Sequence, residues 1–253
     1  MNSIKYAGLV LVLASAGMSV EARETKDFSK TYSFDAKGTI SVDNVNGDIR
    51  ITGWDKNEIS LTYTIKADSK KALDRVKVKV DHSDSNFDVE VDFESSKSWF
   101  GWGDSSGEVD FEIKVPSTAS LKTIESVNGD LKLLQMSGDI KADTVNGRIE
   151  ISGARSDVSV DTVNGDIIIN MDRMSSGQRI KGESVNGDIE IVAPADSAFT
   201  LRSETLNGDL SNDFGIEVDE GQYVGADMDG DYNGGGAKLV FDTVNGDIEV
   251  KKD

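Results

Sequence analysis

The chain has 253 residues, with 46 Asp and Glu against 27 Lys and Arg, for a net charge of -19. That field opposes binding to nucleic acid or to an anionic membrane surface. The absence of cysteine excludes disulfides, thiolate metal sites and cysteine nucleophiles. The single histidine, His82, stands in the polar run Asp81-His82-Ser83-Asp84, so Ser-His-Asp chemistry would rest on one exposed imidazole.

Residues 1–22 read as an export signal. Lys5 supplies the positive start, Ala7 to Ala16 is apolar and small, and Val20-Glu21-Ala22 forms a small-x-small cleavage site before Arg23. The apolar run is short for a bilayer span, and no cysteine follows it to carry a lipid anchor. The mature chain is expected to begin near Arg23 and to work outside the cytoplasm, in the periplasm, on the surface or beyond.

Residues 23–116 alternate apolar and polar side chains, the period of half-buried strands. Tyr32, Phe34, Ile40 and Val42 open the pattern, Ile59 to Ile65 alternates strictly, and Val76 to Val80, Phe87 to Phe93 and Val109 to Val115 follow as antiparallel-type strands with one wet face. Asp68 to Arg75 predicts a short helix or turn capped by Asp68 or Ser69. Pro116 ends the last strand because it lacks the N–H a ladder needs. Within this region Ser98 to Asp104 holds Trp99, Phe100 and Trp102 among glycines and serines, at an expected loop tip. These three aromatics are the candidate ligand-binding residues, suited to a sugar ring, a protein partner or a membrane interface. Folding back to plug an open end of the core is the alternative. Trp54, at a strand end, reads as packing.

Residues 117–253 form a repeat region. The phrase Val127-Asn128-Gly129-Asp130-Leu131 recurs from Val145, Val163, Val185, Leu206 and Val244, mostly at intervals of roughly 20 residues, and an earlier copy stands at Val45. Met228-Asp229-Gly230-Asp231-Tyr232 reads as a degenerate copy. Such an interval means coils that bury their apolar edges against neighbours, and the apolar positions give two short strands per coil. The fold class is therefore all-β: a flattened β-solenoid of stacked two-strand coils with Asn-Gly turns, preceded by antiparallel strands. Asn-Gly is read as a tight turn with positive φ, and the aliphatics on either side of it as core. Stacking at roughly 4.8 Å places the asparagines in one column able to exchange amide hydrogen bonds, and the acids in another, facing solvent. Arg148 interrupts the acids and is expected to relieve their repulsion.

The [Val/Leu]-Asn-Gly-Asp-[Ile/Leu] phrase in an exported chain resembles the bacterial β-strand-repeat family labelled "putative adhesin", a domain of unknown function in envelope proteins. Val45 to Ile49 with Gly53-Trp54-Asp55 looks like that family's first copy, and Val115-Pro116 before Leu121 like its entry to the repeats. The resemblance spans roughly residues 30–251 and brings no catalytic residues. It implies adhesion as a presumption only.

Chemistry-bearing motifs are sparse. Asp227, Asp229, Asp231 and Asn233 alternate like calcium-loop ligands, but Lys238 stands where the bidentate Glu belongs. Carboxylate pairs are too common here to single one out as a glycosidase pair. No metal or cofactor is expected. The long row of outward side chains Arg50, Lys132, Glu150, Ile168, Glu190 and Glu249 suits binding of a protein or glycan partner more than catalysis. An envelope scaffold without a ligand and a polysaccharide-active β-helix enzyme are the competing readings, since a fold alone implies no function.

Overall fold

The computed structural model describes residues 23–93, 107–221 and 224–253. The export-signal segment and the loop of Trp99, Phe100 and Trp102 lie outside the described residues. The expected all-β stack is what forms: two sheets enclose one core, and the chain crosses from one sheet to the other at each copy of the phrase.

The N-terminal part supplies β1 (Glu24–Ser33), β2 (Thr39–Asn46), β3 (Ile49–Trp54), β4 (Glu58–Ala67), the helix α1 (Lys70–Leu73), β5 (Val76–His82), β6 (Asn86–Phe93) and β7 (Gly107–Pro116). Ser69 is the cap of α1, its side chain accepting a hydrogen bond from the Ala72 amide. The first coil is β2 with β3. Strands β7, β4 and β1 extend one sheet beyond β3, and β6 and β5 extend the other beyond β2.

Further coils are β8 (Ser120–Asn128) with β9 (Leu131–Leu134), β10 (Ile140–Asn146) with β11 (Ile149–Ala154), β12 (Val158–Asn164) with β13 (Ile167–Met171), and β14 (Arg179–Asn186) with β15 (Ile189–Ala193). All pair in parallel with the coil before, so that Asn46, Asn128, Asn146, Asn164 and Asn186 share one register. Each coil turns its alternate residues inward: Ile140, Ala142, Ile149 and Ile151 are fully or almost fully buried, as are Val158, Val160, Ile167 and Ile169. Each large aliphatic so buried contributes about 1.5–3 kcal/mol before entropy is counted.

Beyond this point the order in space departs from the order in the chain. Strands β16 (Phe199–Asn207) and β17 (Leu210–Asn212) form the outermost coil, and the C-terminal coil, β20 (Ala237–Asn245) with β21 (Ile248–Lys252), lies between it and β14/β15. The expected extra coil at Met228 to Tyr232 does not exist. Those residues belong to β19 (Ala226–Tyr232), which runs antiparallel to β16, with β18 (Val218–Glu220) beside it at the sheet edge. Gly230 sits within this strand because Ile216 packs where its Cβ would be. Both ends of the core are plugged by aromatic side chains among the described residues. Tyr32 and Phe34 pack edge-on to Phe87 at one end, and Phe199, Phe214 and Tyr232 cluster at the other.

Candidate interaction surface

The phrase forms the corner between the sheets, and four ladders run through it. The asparagine ladder is continuous: Asn128 donates to Asn46, Asn146 to Asn128, Asn164 to Asn146, Asn186 to Asn164, Asn245 to Asn186 and Asn207 to Asn245, each at 2.8–2.9 Å. A second ladder is buried. Thr144, Thr162, Ser184, Thr243 and Thr205 donate their hydroxyls to the glycine carbonyl of the neighbouring coil, over 2.9–3.3 Å. The sequence carried a signal for this one, since every copy has Ser, Thr or, at Asn44, an amide immediately before its aliphatic residue.

The acids of the phrase do not simply face solvent. Asp48 accepts the amide N–H of Asp130, Asp130 that of Arg148, Asp166 that of Asp188, Asp188 that of Asp247 and Asp247 that of Asp209. This answers the expected repulsion: each of these five carboxylates caps a backbone donor, a charge-assisted contact that offsets like charges in column, and only Asp209 of the outermost coil has no next coil to cap. Arg148 lacks a carboxylate to offer Asp166, but its guanidinium reaches the Asp166 carboxylate at 2.8 Å, which raises the Arg148 pKa further. The guanidinium is thus placed against one of the acids whose repulsion it is expected to relieve.

Two sequence expectations about the corner fail. None of the phrase's asparagines has positive φ, and among its glycines Gly47 alone is well inside that region, at +113°. The glycines are required for another reason. A Cβ on Gly129, Gly147, Gly165, Gly187, Gly246 or Gly208 would collide with the glycine carbonyl oxygen of the adjacent coil. The aliphatic residue before Asn is also not core: Val127, Val145, Val163 and Val185 are each 41% exposed, Leu206 50% and Val244 39%. It points outward because the buried hydroxyl precedes it and successive side chains alternate. The result is an apolar ridge along the corner.

The outer faces of the two sheets differ. On the ten-stranded sheet, Glu112, Arg50, Lys132, Glu150, Ile168, Glu190 and Glu249 align in register, which contains the expected outward row. Its charges are of both signs. Lys132 bonds Glu150 at 2.6 Å, and Lys251 bonds Glu249 and Glu190, which push its pKa up to about 12. Beside this row lies a groove of about 700 Å³ lined by Arg50, Trp54, Gln135, Arg155 and Asp172. The indole N–H of Trp54 donates to the Glu58 carbonyl at 2.9 Å and Lys56 covers its ring, so Trp54 is engaged in packing.

One register row on the outer face of the eleven-stranded sheet carries a single sign, with Lys141, Lys181 and Arg202 beside it. Glu90, Asp43, Glu125, Asp143, Asp161, Glu183, Asp242, Glu204, Asp227 and Asp219 lie opposite one another in a single register across ten strands. Seven of these belong to the phrase, since every copy has Asp or Glu two residues before its aliphatic. Like charges directly opposed destabilise a sheet, and the pKa values register this. Asp43 and Asp242 are raised, first by burial and then by neighbouring acids, and Asp161 is raised to about 6. Asp161 Oδ1 is also buried without a hydrogen-bond partner.

Asp227, Asp229 and Asp231 alternate along β19 on its exposed side, spread along an extended strand where a calcium loop would converge them. Among the described residues no group of three or more Asp, Glu or His could hold a metal ion. Asn233 and Gly234-Gly235 have positive φ and make the turn from β19 to β20.

A two-sheet stack of parallel coils with Asn-Gly corners is a β-repeat fold. Residues 137–251 match the family model described as Toastrack DUF4097. That segment is thus similar to a domain of unknown function, in agreement with the resemblance carried by the phrase. A structure described as a "putative cell adhesion protein" from Clostridium sporogenes superposes with a TM-score of 0.53 at 13% identity, covering 91% of this chain and 100% of that one. It shares the fold. A "putative adhesin" from Bacteroides fragilis gives 0.44 at 13% identity over 89% of this chain and 97% of that one. A "putative lipid binding protein" from Parabacteroides distasonis gives 0.34 at 12% over 90% and 96%. No curated protein sequence matches the chain.

Proposed function

We propose that the protein is an exported, non-enzymatic envelope or surface protein that presents its β-repeat faces to a protein or glycan partner in the manner of an adhesin. The observation that carries this is the pair of long outer faces, on which repeated side chains stand in register over successive coils. Such rows suit extended contact with a partner surface. The description of the Clostridium sporogenes structure as a "putative cell adhesion protein" agrees with this reading. Export rests on the segment from Met1 to Ala22, and Trp99, Phe100 and Trp102 are retained as candidate ligand contacts on their sequence alone.

The test is adhesion of the purified mature chain to envelope extract and to glycan arrays, with the double substitution Trp99→Ala and Trp102→Ala alongside. Saturable binding that the double variant loses supports the proposal. No binding by the native chain favours a scaffold without a ligand, and turnover of a polysaccharide panel would overturn the non-enzymatic reading.

A further inference from the structure

Along each strand of the eleven-stranded sheet that carries the phrase, the acid and the aliphatic before Asn are two residues apart, as in Asp143 and Val145, so both stand on the outer face. Stacking turns these pairs into two parallel rows, one anionic and one apolar, at roughly 7 Å separation. We propose that this face docks a cationic amphipathic helix of a partner protein, lying along the stack axis with its basic stripe over the carboxylates and its apolar stripe on the ridge. The proposal rests on the surface-presenting reading above and names the chemistry of one partner.

Charge complementarity selects the occupant. Within the acid row, Lys141, Lys181, Arg202 and Lys79 pair with some carboxylates, but among the described residues Asp43, Glu125 and Asp242 have no cation within ion-pair distance. The row on the opposite sheet is mixed in sign, with Arg50 and Lys132 in the row itself and Lys251 between Glu190 and Glu249, so it offers a weaker anionic field. A row of opposed carboxylates is held together at a cost, and a desolvated cationic partner lowers that cost while gaining its own attraction.

Geometry selects a helix over an extended strand. A strand laid along the stack axis sends alternate side chains to opposite sides, so a single row faces the sheet. A helix presents adjacent apolar and basic stripes on one side, with a turn of about 5.4 Å against roughly 4.8 Å per coil. From Val127 to Leu206 the ridge crosses six coils, roughly 25 Å, which about 16 helical residues cover. At the end of the rows a groove of about 600 Å³, lined by Arg202, Glu204, Leu206, Val240 and Asp242, joins acids and aliphatics in one depression.

The experiment uses the mature chain and a fluorescent Leu/Lys amphipathic peptide of about five helical turns, with oligolysine of equal charge as control. Anisotropy is measured for the native chain, for the triple variant Asp143→Asn, Glu183→Gln, Asp242→Asn, and for the triple variant Val145→Thr, Val163→Thr, Val185→Thr. Circular dichroism confirms that both variants fold. The amphipathic peptide is expected to bind more tightly than oligolysine, and the acid variant to lose about tenfold or more for both. The valine variant is expected to lose affinity for the amphipathic peptide alone. Equal binding of both peptides by the native chain, or equal binding by all three proteins, overturns the inference. Adhesion to envelope extract, measured on the same proteins, separates the two levels. Native-like adhesion by both variants leaves the adhesin reading standing and removes this one, whereas peptide binding without any adhesion removes the adhesin reading alone.

Discussion

Replacing Asp161 by Asn should stabilise the protein at neutral pH, against the usual direction for a polar substitution in a sheet. The carboxyl has its pKa moved from 3.8 to about 6, burial being the foremost cause, opposed by Lys181 and reinforced by Glu183 and Asp143. Taken in full, that displacement is worth about 3 kcal/mol against the ionised side chain at neutral pH. The side chain keeps 40% of its surface in solvent, however, and Lys181 stands 4.0 Å away, so screening leaves a gain of about 1 kcal/mol. For a chain of this size the melting temperature should rise by about 2–4 °C. The sign follows from linkage. Between 3.8 and about 6 the folded state holds more protons than the unfolded one, so stability falls as pH rises through that window. Asn cannot ionise and escapes the loss. Urea unfolding of both proteins near pH 7 and near pH 4 is the assay: the advantage of Asn should be present at the first and mostly gone at the second. No gain near pH 7, or an equal gain at both, refutes the account.

Two further outcomes are expected. Gly165→Ala should cost about 3 kcal/mol or more, read by chemical denaturation, because its Cβ meets the Gly147 carbonyl and backbone on both sides prevents relief. Arg148→Ala removes an exposed pair with Asp166 and should cost about 0.5 kcal/mol at low ionic strength, shrinking in high salt; a salt-independent loss would mean that packing of the side chain, and not its charge, is at work.

The features legible in the sequence are those that one coil specifies by itself and its copies repeat. Ile149-x-Ile151 names an inward pair, Glu150 an outward residue, and Asn146 a side chain whose neighbours must be Asn128 and Asn164 once coils stack. The acid row is only half marked in the sequence: Asp143 and Asp161 each precede a copy by two residues, but nothing in one coil distinguishes them from the acid of the Asn-Gly-Asp corner. Its continuation through Glu90 and Asp227 had no sequence mark at all: those residues join by pairing of strands remote in the chain, β6 with β2 and β19 with β16. Hydrophobicity alone places Val145 in the core, and the alternation set by buried Thr144 overrides it. At Gly147 the side chain is excluded by the carbonyl of the adjacent coil and not by a backbone angle, a contact that exists only in the stack.

The place of β20/β21 bears on how the molecule is made. Translation delivers this coil after both of its neighbours, yet it occupies the gap between them. Until it arrives, Asn207 on β16 has the same register to offer Asn186 on β14 that Asn245 takes in the finished protein. The uniform repeat thus offers the chain a ready mispairing, which the Val244 copy displaces by entering as a wedge. The turn Asn233-Gly234-Gly235 and the antiparallel return along β19 bring it to that opening, so the segment without the phrase leads the Val244 copy into place.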